Sequence, residues 1–330
     1  VLADQKPKTV AELALYKGAD RQQILEEGAR QEGKILLYTT GIITQTVRPK
    51  VNAFKKKYPY IKVEIWRAST HKLLPRVLEE YKAGRHNVDI IEITQAGELS
   101  MEEGRILQPF YSPNLAYIVE DTIRRASGGG VFSAGHYESA RVLGYNTQLI
   151  TRGELPKTYQ DLLDPKWKGK VALSPGMGTV GWIGAMLFSH GEDLVRRMAK
   201  QNFDVHMVTS RGVLDMIIAG EYVCSPSMTD AHVIKSKKHE APIDYLRLEP
   251  SHVNLGQIVL PKHSSHPHAA LLYIDFDLTK ETGELYKATG YVSTHKDVPG
   301  EETYKKYYGP FSTKQYAQWL ELFSELFLKR

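Results

Sequence analysis

An α/β fold in two lobes is what the sequence predicts, and three features predict it. Short apolar runs alternate with segments of helical spacing, the pattern of a doubly wound, largely parallel sheet. That alternation begins twice, once before and once after the Ser127-Gly128-Gly129-Gly130 cluster. At 330 residues the chain is long for one small core and suits two lobes of roughly 100–200 residues each.

The elements follow in order. Asp20 and Gln23 stand in capping-box positions for a helix reaching about Arg30. KILLYTT, residues 34–40, is a nearly all-apolar strand. Val47, Val51, Phe54 and Tyr58 then fall on one helical face, and Ile61, Val63 and Ile65 alternate as a strand. Leu73, Leu74, Val77, Leu78 and Tyr81 return to helical spacing, VDIIEI (88–93) is a third strand, and a helix follows to about Gly104. Residues 131–146 break the rhythm. The second series has a strand at 169–174, helices at 179–190 and on to about 201, a strand at 205–208 and a helix at 211–220. Strands at 222–226 and 244–248 come next, then QIVL (257–260), a helix over 267–280, and an amphipathic closing helix carrying Tyr316, Trp319, Leu320, Phe323 and Phe327.

Composition narrows the function. Apolar residues make up 42% and charged residues 25%, ordinary for a globular protein, and no apolar run approaches the roughly 18 residues of a membrane span. The net charge of +5 is spread along the chain, and its clusters, such as Lys55-Lys56-Lys57, read as solvated helix faces. No interleaved aromatics or zinc-finger signature accompany them, so no nucleic-acid partner is expected. The single Cys224 excludes an internal disulfide or a cysteine metal cluster. The chain begins VLADQKPKTV and reads as a mature or trimmed form from which a signal peptide has been removed.

Catalytic patterns are thin: there is no G-x-S-x-G, no H-E-x-x-H and no P-loop lysine. The Gly176-Met177-Gly178-Thr179-Val180-Gly181 stretch spells G-x-G-x-x-G, which admits an α/β enzyme holding a nucleotide or phosphate there. Its more general content is a helix start with glycine beside it, a ready anion site. His263, His266 and His268 cluster in a turn and read as exposed loop residues. Small hydroxyl residues recur where strands give way to helices: Thr39-Thr40-Gly41, Ser69-Thr70, Ser174 before Gly178-Thr179, Thr209-Ser210, and Thr229-Asp230. Each taken singly is an N-cap. As a set they would ring one cleft at the carboxyl ends of the strands, where open α/β sheets bind ligands. Arg67, Arg141 and Arg211 lie close by and suit a carboxylate or phosphate; Tyr38, Trp66 and Tyr137 are candidate walls.

Tyr145-Asn146-Thr147 followed by LPKTYQDLLDPKWKGK (155–170) resembles the signature of the extracellular solute-binding proteins of ABC importers, in the ferric-iron-binding-protein-like branch. EGARQEGK (27–34), QIVLPKHSSHPHAALLYIDF (257–276) and Gly290-Tyr291-Val292-Ser293 resemble further segments of that family in the same order. The resemblance implies a type II periplasmic-binding-protein, or Venus-flytrap, fold with doubly wound mixed sheets. It implies a solute clamped between lobes by hinge closure, delivery to a membrane ABC permease, a periplasmic location, and no catalysis or cofactor. The lobes are expected at 31–135 plus 256–283 and at 136–255 plus 284–330, after an N-terminal helical extension over 1–30. Hinge strands are expected near 131–144 and 255–259.

Ferric-binding members carry adjacent tyrosines after the strand corresponding to 222–225, where this chain reads Ser225-Pro226-Ser227-Met228-Thr229-Asp230. Hard phenolate donors are therefore missing from that place. The expectation is a monomer that binds no metal and takes a small anionic organic solute. The expected contacts are Thr39, Thr40, Arg67, Ser69, Thr70, Tyr137, Arg141, Ser174, Gly178, Thr179, Ser210, Thr229 and Asp230. A ferric site made unusually from Tyr137, Glu138 and Asp230 is the alternative within transport.

Overall fold

The computed structural model describes residues 6–300 and 303–329. The first five residues, where the expected N-terminal extension begins, lie outside the described part. In chain order the elements are α1 (Val10–Leu15), α2 (Arg21–Glu32), β1 (Lys34–Thr39), α3 (Arg48–Lys57), β2 (Lys62–Arg67), α4 (Thr70–Lys82), β3 (Ile90–Thr94) and α5 (Gln95–Glu103). There follow β4 (Leu107–Gln108), β5 (Ile123–Arg125), β6 (Val131–Asn146), β7 (Ala172–Leu173), α6 (Met177–Ala199), β8 (Asp204–Val205), α7 (Ser210–Ile218), β9 (Cys224–Thr229) and α8 (Asp230–Lys238). The chain ends with β10 (Ile243–Leu246), β11 (Ser251–Pro261), α9 (Pro267–Asp277), α10 (Lys280–Ala288), β12 (Val292–Ser293), β13 (Lys306–Tyr307) and α11 (Thr313–Phe323). Among the described residues no helix is long and apolar enough to cross a membrane.

The chain divides into two units, Val1–Glu138 with Leu255–Gly300, and Ser139–Asn254 with Glu301–Arg330. Two of the three crossings fall inside the long strands β6 and β11. The division differs from the expected one in two places. Residues 284–300 belong to the first unit, because α10 packs on α3 and α9 and β12 pairs with β6 at Val292–Glu138 and Ser293–Tyr137. Helices α1 and α2 are no separate extension either: α2 lies on α9, and Leu13, Ala14, Leu25 and Ala29 are buried in the unit's core.

In the first unit β2, β1 and β3 run parallel, and the Gly256–Val259 part of β11 closes the row antiparallel against β3. β1 is apolar on both faces because both are covered, with Ile35 and Leu37 in one core layer and Tyr38 in the other. In the second unit β9 and β10 flank the Arg141–Asn146 part of β6, both antiparallel. β7 pairs in parallel with β8, and Val171 bridges to Cys224. A large core there gathers Trp167, Trp182, Ile183, Met186, Trp319 and Phe323.

Local expectations fail where one side chain has a better partner. Asp20 precedes α2 but makes no capping bond; its carboxylate accepts from the Tyr16 hydroxyl at 2.7 Å instead. The strand expected over 205–208 stops at Val205, leaving Met207 79% exposed. His266 and His268 are pinned, not free: their Nδ1 atoms sit 2.9 Å from Asp89 and 2.6 Å from Glu32.

Candidate functional site

In the first unit the carboxyl ends of β1, β2 and β3 bring together the Thr39–Gly41 turn, Arg67, Thr70 and Thr94. Arg67 Nε donates to the carbonyl of the buried Gly41 at 3.3 Å, which ties the guanidinium to the turn. Thr40 is half-buried, and its N–H donates to the Glu92 carbonyl at 2.9 Å. Ser69 is exposed and precedes α4 without making a side-chain cap. The Thr70 and Thr94 hydroxyls lie 3.2 Å apart. Thr39, expected as a contact, is fully buried: its hydroxyl donates to Glu92 Oε2 at 2.8 Å and accepts the Gly41 N–H at 2.9 Å. Tyr137 is nearly buried, stacked on His136 and edge-on to Tyr291, and burial pushes its phenol well above the usual range. Tyr38 belongs to the core, its hydroxyl donating to Glu80 at 3.1 Å.

Beneath this surface lies a charged cluster that sequence reasoning missed. Lys50, 1% exposed, donates to Glu92, to Asp277 Oδ1 at 3.0 Å and to the Tyr286 hydroxyl at 2.9 Å, using all three ammonium protons. Glu92 also accepts from Tyr273 at 3.0 Å, and Asp277 faces His136 Nδ1 at 2.6 Å and Tyr286 at 2.7 Å. Burial alone would push the Lys50 ammonium down, but Asp277 and Glu92 together hold it above its ordinary value. For Asp277 burial pushes up, and Lys50 with His136 brings the net shift down. Glu92, His136 and Asp277 each offer one ligand atom, all within 4.8 Å of one another, a spacing suited to a metal ion. A signal existed: Lys50 sits among Val47, Val51 and Phe54 on the apolar face of its helix, and Glu92 and Asp277 interrupt apolar runs.

In the second unit Arg141 on β6 stands opposite Thr229 in the β6–β9 pair and donates to the Thr229 hydroxyl. Its guanidinium lies over the first turn of α6: a Cβ on Gly178 would come within 2.9 Å of Arg141 Cζ. No side chain caps that turn. A Cβ on Gly181 would likewise meet the His252 ring at 2.3 Å. Those two glycines of the G-x-G-x-x-G stretch thus admit an arginine and a histidine of the protein itself. Thr179 and Ser174, expected as contacts, are both buried, Thr179 completely, with its Oγ1 2.9 Å from Ser227 Oγ. Ser210 opens α7 behind the Thr209 cap, which accepts from the Gly212 N–H at 3.2 Å.

Asp230 is buried and already engaged, accepting from the Ala231 N–H at 2.8 Å and from Arg247 at 3.4 Å. Burial pushes its carboxyl up, opposed by Arg247. Arg211 is spent on Asp215 at 2.8 Å and Ser236 at 2.9 Å.

Each of the two α/β units presents an arginine and small hydroxyl residues where strands end and helices begin, Arg67 in the first and Arg141 in the second. Residues 50–309 match the family described as bacterial extracellular solute-binding protein, and the chain belongs to that family. Its architecture is the type II periplasmic-binding-protein fold. Iron uptake protein A2 of Synechocystis sp. is 25% identical over 248 residues, 69% of this chain and 70% of that protein. Iron-bound HitA from Pseudomonas aeruginosa matches with TM-score 0.75 at 18% identity, over 89% of this chain and 99% of that one. AfuA from Actinobacillus pleuropneumoniae, with exogenous fructose-6-phosphate bound, matches with TM-score 0.72 at 17% identity, over 91% of this chain and 100% of that one.

Proposed function

We propose that this chain is the periplasmic substrate-binding component of an ABC import system and that it carries a small anionic organic solute to the membrane permease. The observation that carries this reading is Arg141, held by Thr229 over the glycine-lined first turn of α6. A guanidinium beside the positive end of the helix that opens at Met177 and is broken at Gly191 is matched to a carboxylate or phosphate. Arg67 with Thr40 supplies the contacts of the first unit and Ser210 a hydroxyl from the second, while the buried Thr229 orients Arg141 and the buried Thr179 is held by Ser227. Hinge closure is the proposed mechanism: the solute favours the state that gives it more contacts, by its differential affinity. That AfuA holds a sugar phosphate is consistent with the same chemistry on this fold.

The ferric alternative draws on the names of HitA and the Synechocystis protein. Against it stand the burial of the Tyr137 phenol, which disfavours phenolate, and the prior engagement of Asp230 by Arg247 and Ala231. Against a nucleotide at 176–181 stands the packing of Arg141 and His252 on Gly178 and Gly181.

Comparison of the native and denatured masses of the protein purified from its own host tests the reading. A mass excess that fragments as an organic acid or phosphate is expected; an excess of one iron atom would overturn it. Arg141→Ala should weaken binding of that solute at least tenfold, since a charge-assisted hydrogen bond contributes roughly 1.5–3 kcal/mol. Calorimetry checks this, with melting temperature as the control for folding.

A further inference from the structure

The Thr39–Gly41 turn is the part of the first unit assigned to the solute, yet its first residue is sealed from solvent and faces inward. Thr39 Oγ1 donates to Glu92 Oε2 at 2.8 Å and accepts from the Gly41 N–H at 2.9 Å. The Glu92 backbone carbonyl accepts the Thr40 N–H at 2.9 Å and the Thr40 hydroxyl at 3.4 Å. Glu92 therefore grips three successive residues, two through its own atoms and one through Thr39.

Glu92 is itself fixed. Its other carboxylate oxygen accepts from Lys50 and from Tyr273, and Lys50 is shared with Asp277 and Tyr286. A carboxylate at 3% exposure is disfavoured without a partner, and Lys50 is the counter-cation bonded to it. The spacing of Glu92, His136 and Asp277 suits a metal ion, but the Lys50 ammonium stands bonded to both carboxylates. The cation of this cluster is a side chain.

We infer that Glu92 is a positioning residue for the solute site: anchored by Lys50, it sets the Thr39–Gly41 turn so that Thr40, and Arg67 bonded to the buried Gly41, present one fixed surface. The inference rests on the solute reading of that turn. Arg67 belongs to the same unit of structure, because its Nε bonds the Gly41 carbonyl. Preorganisation of this kind raises affinity by removing the cost of ordering a loop on binding.

Amide hydrogen exchange on the full, unliganded chain tests it, comparing wild type with Glu92→Gln. Gln preserves shape but removes the charge that binds Lys50 and Thr39. The Gly41 amide, held through Thr39, is expected to exchange at least tenfold faster, with Thr40, whose N–H bonds the backbone carbonyl of residue 92, and Leu37 and Ile91 in the neighbouring strands unchanged. Equal acceleration throughout the unit would overturn the inference, because the cluster would then be only a stabiliser of the core. Unchanged exchange at Gly41 would overturn it too.

Should Glu92→Gln fail to fold, Thr39→Val carries the same test, since it leaves the Lys50–Glu92–Asp277 cluster intact. Thr39→Ser should restore slow exchange at Gly41. Calorimetry with fructose 6-phosphate as probe should show Thr39→Val binding at least tenfold more weakly than wild type, and Thr39→Ser close to it. A wild type that ignores this probe counts against the solute reading alone, and the exchange result still decides the role of Glu92. Added zinc that stabilises wild type but not Glu92→Gln would overturn the assignment of Lys50 as the resident cation.

Discussion

At the scale of single residues, buried charge in this protein is either matched or neutralised, and Glu98 shows the second outcome. It lies on α5 at 1% exposure, neither carboxyl oxygen has a hydrogen bond, and Arg124 stays 3.7 Å away. Burial pushes its carboxyl up to about 8, against an ordinary value of 4.5, with Arg124 opposing. A carboxyl raised on folding stabilises the fold fully below its unfolded value, and that contribution is lost as pH rises through about 8. Glu98→Gln, which mimics the neutral acid, should therefore be near-neutral at pH 5 and stabilising at pH 9. The upper bound, at ~1.4 kcal/mol per pH unit, is roughly 5 kcal/mol. Urea unfolding at the two pH values checks it; equal midpoints for variant and wild type at pH 9 would show that Glu98 ionises without penalty. Lys50 is the opposite case, a matched charge. Lys50→Met would leave Glu92 and Asp277 buried without their cation, and a loss of about 3–5 kcal/mol is expected in the same unfolding assay.

At the scale of elements, α6 shows why a motif can be legible while its meaning is not. The strand–turn–helix context of residues 169–190 was readable from spacing, and so was the helix start beside an anion-suited turn. That Gly178 and Gly181 admit Arg141 and His252 was not readable, because those partners come from β6 and β11, distant in sequence. The same limit applies to the cluster under the Thr39–Gly41 turn. The Thr-Thr-Gly junction was evident as a junction, whereas the inward direction of Thr39 depends on Glu92 from another strand. The strand expected over 34–40 matches β1 to one residue, and the helical spacing of Leu73, Leu74, Val77, Leu78 and Tyr81 falls within α4, since such burial patterns are written locally. Capping at Asp20 was not, because Tyr16 competes for the carboxylate. Substitutions on α6 separate packing from binding. Gly181→Ala forces a methyl to within 2.3 Å of the His252 ring and should destabilise by about 1–3 kcal/mol in thermal unfolding. Gly178→Ala meets the guanidinium of a half-buried side chain, which can shift. Its expected result is a loss of solute affinity larger than its loss of stability.

At the scale of the whole molecule, the two units are set to respond to pH in opposite senses. In the first unit Glu98 is raised to about 8, and burial also raises Asp275 despite its partner Arg21, so acidification favours the folded form, with one imidazole lowered by burial, His295, opposing. In the second unit burial, reinforced by Arg141, lowers His252 to about 3 and His232 to about 4. A histidine lowered on folding stabilises fully above its unfolded value near 6.5, and that contribution is lost as pH falls towards the folded value. Asp230 opposes this trend in the second unit, one raised acid against two lowered imidazoles. Asp277 is shifted down from 3.8 and so acts only below the range in question. Between pH 8 and pH 5 the first unit should therefore gain stability while the second loses it, by roughly 2 kcal/mol for each histidine at pH 5. Hydrogen exchange corrected for intrinsic rates reads the two separately, through Leu37 and Ile91 in one unit and Ile183 and Leu214 in the other. The expected outcome is slower exchange of the first pair and faster exchange of the second at pH 5 than at pH 8. His252→Asn should remove part of the acid sensitivity of the second pair alone, and parallel shifts of both pairs would show that the units unfold as one.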